Sequence, residues 1–135
     1  MAAEGSFKLT YSTMFNPPEE LHVNFDSALS KIQANLGKEY GMIINGKEVF
    51  TAEKVEDRNP ARISQVLALF QKGDASHAEA ALNAARNAFP KWSRMPWQDR
   101  VALVRKAADL IDQRIYELGV IVALEVGKNR MESLG

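Results

Sequence analysis

Between Ala78 and Val122 apolar side chains recur at intervals of three and four residues, so the second half of the chain must form helices packed along one face. Ala78, Leu82, Ala85, Phe89 and Trp92 make the first stripe. Val104, Ala107, Ala108, Ile111, Ile115, Leu118 and Val122 make a second, about five turns long. Pro90 marks an end or a bend of the first helix, and Pro96 suits the first position of the next. Asp99 then falls in a first turn, where a carboxylate suits the helix dipole. A bend near Arg114 or Gly119 divides the longer run. Gly127 stops it, with Lys128 well placed at the negative helix end. Ser76 and Glu79 have capping-box spacing at the front of the first helix. Arg130 to Gly135 begin another helix without completing an apolar face, an ending open to a natural domain but more readily that of a truncated one.

The first half obeys other rules. The opening two dozen residues show no period, and Pro17-Pro18 block regular structure there. This arm needs something to lie against. Phe25, Leu29, Ile32 and Leu36 then form one helical stripe, with Asn24 or Asp26 as its cap and Gly37 as its stop. Met42 to Phe50 is a hairpin, because Asn45-Gly46 tolerates the two positive φ angles of a type I′ turn and β-forming residues flank it. Asp57-Arg58-Asn59-Pro60 is a turn, and Ile63 to Phe70, short and bounded by Pro60 and Gly73, is a strand.

Chemistry is constrained by what is missing. The 135 residues contain no cysteine, which removes disulfides, thiolate metal sites and thiol nucleophiles together. Seventeen basic and seventeen acidic side chains balance to a net charge of zero, so there is no electrostatic footprint for nucleic acid or an anionic membrane. No apolar run approaches the roughly 18 residues of a membrane span, and Met1 to Ser6 lacks the pattern of a secretory signal. His22 and His77 lie far apart and outside any ligand motif; His77 falls in a first helical turn, where exposure to solvent is expected. The glycines occur singly, with no Gly-x-Gly-x-x-Gly or Walker-type loop to cradle phosphates. Trp92 and Trp97 flank Arg94, an arrangement that can stack a ring, but completing the helical corner is the stronger reading. Arg100, Arg105, Lys106 and Arg114 alternate with Asp99, Asp109 and Asp112, as on a solvated face with local ion pairs of about 0.3–0.5 kcal/mol each. Glu125 reads as a helix-end residue rather than a buried acid.

Several segments, taken in order, resemble a known family. Ile44-Asn45-Gly46-Lys47-Glu48-Val49, Asn59-Pro60-Ala61, Ala78 to Ala85 with Phe89 and Trp92, Trp97-Gln98-Asp99-Arg100, Ala107 to Ile111, and Leu124 to Asn129 resemble the front of an aldehyde dehydrogenase. The general family tends to carry Glu-Thr-Gly-Lys-Pro where this chain has Glu125-Val126-Gly127-Lys128-Asn129. That variant, and the helix ahead of the hairpin, are similar to the 1-pyrroline-5-carboxylate dehydrogenase group, which oxidises glutamate semialdehyde to glutamate in proline catabolism. The resemblance implies NAD-dependent oxidation through a cysteine thiolate, with a glutamate-activated water releasing the product.

The expected fold is α+β: an N-terminal arm and helix, a β-hairpin and strand, then three antiparallel helices. This is an incomplete part of the family's α/β NAD-binding domain. Residues 1–40 would form the arm with one amphipathic helix, and residues 41–135 the N-terminal segment of the NAD-binding domain. None of the family's catalytic, cofactor-binding or metal-ligating elements maps onto this sequence, so no such residue is assigned. NAD is implied for the full-length enzyme and is not expected to bind this chain alone. The expected partner is the remainder of the dehydrogenase, homo-oligomeric when full length, with no nucleic acid and no membrane. A cytoplasmic setting follows, or the mitochondrial matrix in a eukaryote. The rival expectations are a free-standing helical interaction protein and a piece of an aldehyde dehydrogenase for another substrate. A piece would also leave apolar surface uncovered where the missing sheet packs.

Overall fold

The computed structural model describes residues 15–135; the first part of the arm lies outside the described residues. Helix α1 spans Glu19–Gln33 and starts earlier than the apolar stripe indicates. Pro18 is its N-cap, so the proline launches the helix instead of excluding it; Pro18 lacks a backbone donor, and Glu19 and Glu20 suit the positive end. Asn24 and Asp26 therefore lie inside α1 and cap nothing. The stripe gains a turn at its front: Leu21 and Phe25 are buried, while Leu29, Ile32 and Leu36 are half-buried. The helix ends at Ala34, and Gly37, at φ +73°, turns the chain so that its N–H donates to the Leu67 carbonyl at 2.9 Å.

Five strands follow: β1 (Lys38–Tyr40), β2 (Met42–Ile44), β3 (Lys47–Val49), β4 (Lys54–Arg58) and β5 (Val66–Gln71). β2 and β3 are the expected hairpin, with Asn45 at φ 52° and Gly46 at φ 72°. β1, β5 and β4 form a second sheet with β5 at its centre, parallel to β1 and antiparallel to β4. Two expectations change here. Asp57 and Arg58 belong to β4, and the turn falls after them, where Asn59 Oδ1 accepts from the Ala61 N–H at 2.9 Å. The strand expected from Ile63 begins only at Val66; Ile63 stays in the loop and is exposed. β1 and β4 were not foreseen, because Lys-Glu-Tyr and Lys-Val-Glu-Asp-Arg carry too few apolar residues to signal a strand. They exist because β5 offers a ladder on both edges.

Gln71 closes that sheet. It is buried, and its amide accepts from the Thr51 N–H at 2.7 Å and donates to Glu39 Oε1 at 3.0 Å and the Tyr40 carbonyl at 2.9 Å. A buried amide so satisfied joins β1 and the loop after β3 to the end of β5.

The remaining helices are α2 (Ala75–Arg94), α3 (Trp97–Gln113), α4 (Ile115–Val126) and α5 (Arg130–Leu134). Asp74, not Ser76, caps α2: its carboxylate accepts from the Ser76 and His77 N–H groups, with His77 at the reciprocal position expected for Glu79. Pro90 lies inside α2, which continues four residues further to Arg94. Pro96 is the N-cap of α3. The long apolar run breaks at Arg114, not at Gly119, and Gly127 ends α4 at φ 75°. Val120 on α4 is fully buried against the α1 side of the molecule, and Gly119 lets α5 approach closely. The core therefore sits between α1, α4 and β5. No residue of α2 or α3 is buried.

Candidate functional site

Polar side chains gather at several places among the described residues. In the first, Arg130 at the start of α5 lies 4.5 Å above the Phe25 ring. Its Nη1 is 2.8 Å from His22 Nδ1, and its Nη2 donates to Asp26 Oδ1 at 2.5 Å. A guanidinium only donates, so in this contact His22 Nδ1 is the acceptor. His22 is thereby committed to a helix-to-helix clasp.

In the second, a cleft of about 290 Å³ runs between α1, β5 and α4, floored by Leu67, Phe70 and Ile121, with Asp57, Glu117 and Glu125 among its lining. Glu117 is held by Arg114, whose Nε and Nη2 donate to its two oxygens at 2.9 and 2.6 Å. This fork lowers the Glu117 pKa and raises that of Arg114. Glu125 is exposed, as its helix-end position implies. Glu39, outside the cleft, is also lowered, first by the Gln71 amide and then by Lys54. Each shift favours the ionised form, so none creates a proton donor or acceptor near neutrality.

The third is the passage from β5 into α2, where a doubly wound domain would present backbone N–H groups to the phosphates of a dinucleotide. Here the Asp74 carboxylate takes the Ser76 and His77 N–H groups at 2.9 and 3.2 Å. Its pKa is strongly lowered, by the Ser76 hydroxyl first and His77 second. An anion already occupies the helix start, so these residues do not fit an NAD phosphate. His77 Nδ1 lies 2.7 Å from Asp74 Oδ1 and 3.2 Å from the Asp74 backbone nitrogen. Nδ1 carries either a proton, which serves the first contact, or a lone pair, which serves the second, so the two exclude each other; the shorter, to a charged oxygen, is the stronger. His77 is accordingly half-buried in the cap, and its expected exposure does not hold.

The structure does not collect the remaining candidates into a site. The two histidines serve separate helix ends, and among the described residues no group of three metal-ligating side chains occurs. Arg100, Arg105 and Lys106 form no ion pair with Asp99, Asp109 or Asp112; on this stretch Arg114 alone is paired among the described residues, with Glu117. The expected ladder fails although Arg105 and Lys106 stand four and three residues from Asp109, the right helical spacing; exposed pairs of this kind gain too little to hold two long side chains together. Trp92 and Trp97 are exposed by 41% and 63%, so they mark the α2–α3 corner without being covered by it. Leu82, Phe89, Leu103, Val104 and Ile111 are exposed as well. Exposed apolar side chains, as expected of a partial domain, thus line α2 and α3, and others lie on the strands at Tyr40, Ile43, Val55 and Phe70. Among the described residues, no helix is long and apolar enough to cross a membrane.

Comparison with known proteins fits this geometry. Residues 49–135 match the sequence model of the aldehyde dehydrogenase family. The chain is 36% identical over 104 residues to a 1-pyrroline-5-carboxylate dehydrogenase of Halalkalibacterium halodurans, covering 77% of this chain and 20% of that protein. A structure of the Thermus enzyme of that name with bound NAD superposes with a TM-score of 0.87 at 34% identity, over 99% of this chain and 26% of that one. Proline utilization A from Bdellovibrio bacteriovorus superposes with a TM-score of 0.83 at 29% identity, over 86% of this chain and 12% of that one. The chain spans about a fifth of the length of the curated relatives it matches.

Proposed function

The chain belongs to the aldehyde dehydrogenase family, and from that premise we propose that it is the N-terminal portion of an NAD-dependent 1-pyrroline-5-carboxylate dehydrogenase, inactive by itself. In this reading the whole enzyme oxidises glutamate semialdehyde to glutamate. Residues 1–40 supply an arm and helix, and residues 41–135 open the NAD-binding domain. The observation that carries the reading is the match to the Thermus enzyme, which extends over 99% of this chain and only 26% of its counterpart. Two features of the chain support the division of labour. It contains no cysteine, so the thiolate on which the family's oxidation depends must come from elsewhere. The cap at α2 also commits the Ser76 and His77 N–H groups to the Asp74 carboxylate rather than to a cofactor phosphate. What the chain supplies is a frame: β5 as the seed of a sheet, α1 and α4 closing one side, and α2 and α3 offering an apolar face to the rest of the domain. Homo-oligomerisation belongs to the completed enzyme.

A graft tests this. The quarter of the Thermus dehydrogenase that matches this chain is replaced by residues 1–135, and NADH formation is followed with glutamate semialdehyde and with unrelated aldehydes. The reading expects a soluble graft that favours glutamate semialdehyde. An insoluble or inactive graft, beside an active parent enzyme, would overturn it and favour a free-standing docking protein.

A further inference from the structure

A notch of about 310 Å³ lies at the corner of α2 and α3, lined by Trp92, Trp97, Arg100, Val101, Val104 and Arg105. Its walls are two indoles and two valines, and its only charges are two guanidinium groups. No acidic residue lines it, and among the described residues neither Arg100 nor Arg105 forms an ion pair. The Arg100 Nε–H is shielded from solvent and has no acceptor. A guanidinium proton withdrawn from water with nothing to receive it is costly, and native proteins rarely leave one so. Elsewhere in this chain the guanidinium groups of Arg114 and Arg130 meet carboxylates in close contacts.

We propose that this notch receives a carboxylate-bearing segment from the part of the dehydrogenase that lies outside these 135 residues. The inference rests on the function proposed above. Three observations select this occupant. Arg100 and Arg105 both present guanidinium groups to the notch without an ion-pair partner among the described residues, and the paired N–H groups of a guanidinium form the fork that binds a carboxylate through both oxygens. Two cations without an acid on the walls call for negative charge, which a neutral backbone carbonyl does not supply. The indole faces suit the aliphatic stem of an aspartate or glutamate and an apolar neighbour beside it. The matched relatives are several times longer than this chain, and so contain the polypeptide from which such a segment can come.

The test uses the same full-length graft with Arg100→Lys. A zero-length carbodiimide joins a lysine amine to a carboxylate touching it, forming an amide as the water is taken up by the reagent; arginine does not react. Peptide mass mapping is expected to find the new lysine joined to an aspartate or glutamate beyond the grafted residues, and no such link with Arg100 intact. A link to a carboxylate within residues 1–135, or none at that position while other lysines react, would overturn the proposal. Arg100→Gln provides an independent measurement: unfolding of the graft should accelerate at least about tenfold, the effect of losing one charged hydrogen-bond partner. Arg86→Gln, on exposed α2, should leave the rate unchanged. Equal unfolding rates for Arg100→Gln and the parent graft would also overturn it. A graft that never becomes active defeats the functional reading instead, so the two failures are distinguishable.

Discussion

Gly119→Ala sets two opposing effects against each other, and the structure decides between them. Gly119 sits inside α4, where replacing glycine by alanine should stabilise the helix by about 1 kcal/mol. A methyl group there would lie 2.6 Å from Leu134 Cδ2 and 3.3 Å from both Leu134 Cγ and the Ser133 carbonyl oxygen. Carbon atoms in good contact stand roughly 3.5–4.0 Å apart, so α5 must move outward by about 1 Å or Leu134 must change rotamer. Overpacking of this kind costs about 1–3 kcal/mol. The Leu134 branch can rotate, but the Ser133 carbonyl is backbone and cannot. The net expectation is a loss of up to about 2 kcal/mol, concentrated on α5. Urea melts of the wild type, Gly119→Ala, Leu134→Ala and the double variant would measure it. Removing Leu134 should relieve most of the clash, giving a favourable coupling of about 1 kcal/mol. If Gly119→Ala stabilises the chain by its full helix propensity and the double variant is additive, α5 does not pack on Gly119 and the reasoning fails.

Three further outcomes follow from particular contacts. Arg130→Ala removes the contacts to Asp26, His22 and Phe25 and should weaken the docking of α5 by about 1–2 kcal/mol, read as faster amide exchange across residues 129–134 with little change in β5. Gly46→Ala meets no atom within 4 Å, so its cost is backbone strain alone at φ 72°, about 1–2 kcal/mol; Gly46→Asn should cost less, and both are measured by thermal melting. The folded pKa values of Asp74, Glu39 and Glu117 all lie below their unfolded values. Their stabilising contribution is therefore complete above the unfolded pKa of about 4 and is lost as pH falls through the folded values. Asp74→Asn keeps an acceptor at the cap but should flatten the low-pH arm of a circular dichroism titration; an unchanged arm would contradict the assignment.

What could be read in the sequence was what depends on neighbouring residues. Asn45-Gly46 specifies a hairpin because two positive φ angles are needed within two residues. The division of the long apolar run, narrowed to Arg114 or Gly119, the stop at Gly127 and the short start at Arg130 likewise announce themselves locally. β1 and β4 could not be read, because their polar residues join a sheet only when β5 arrives from elsewhere in the chain. The front of α1 was hidden because proline is usually taken as a breaker, although a missing donor costs nothing at a cap. At α2 two capping boxes overlap by two residues, and the one that places an aspartate at the cap prevails. The family resemblance was legible because it rests on an ordered series of segments. The clasp at Arg130 and the orphaned Arg100 Nε–H were not, since each depends on what stands opposite in space.

The most direct measurement is NADH formation by the purified 135-residue chain, supplied with saturating NAD and glutamate semialdehyde beside the active graft. No NADH above the enzyme-free blank is expected from the chain, and steady formation from the graft. NADH produced by the chain itself, in proportion to its concentration, would contradict the proposed function.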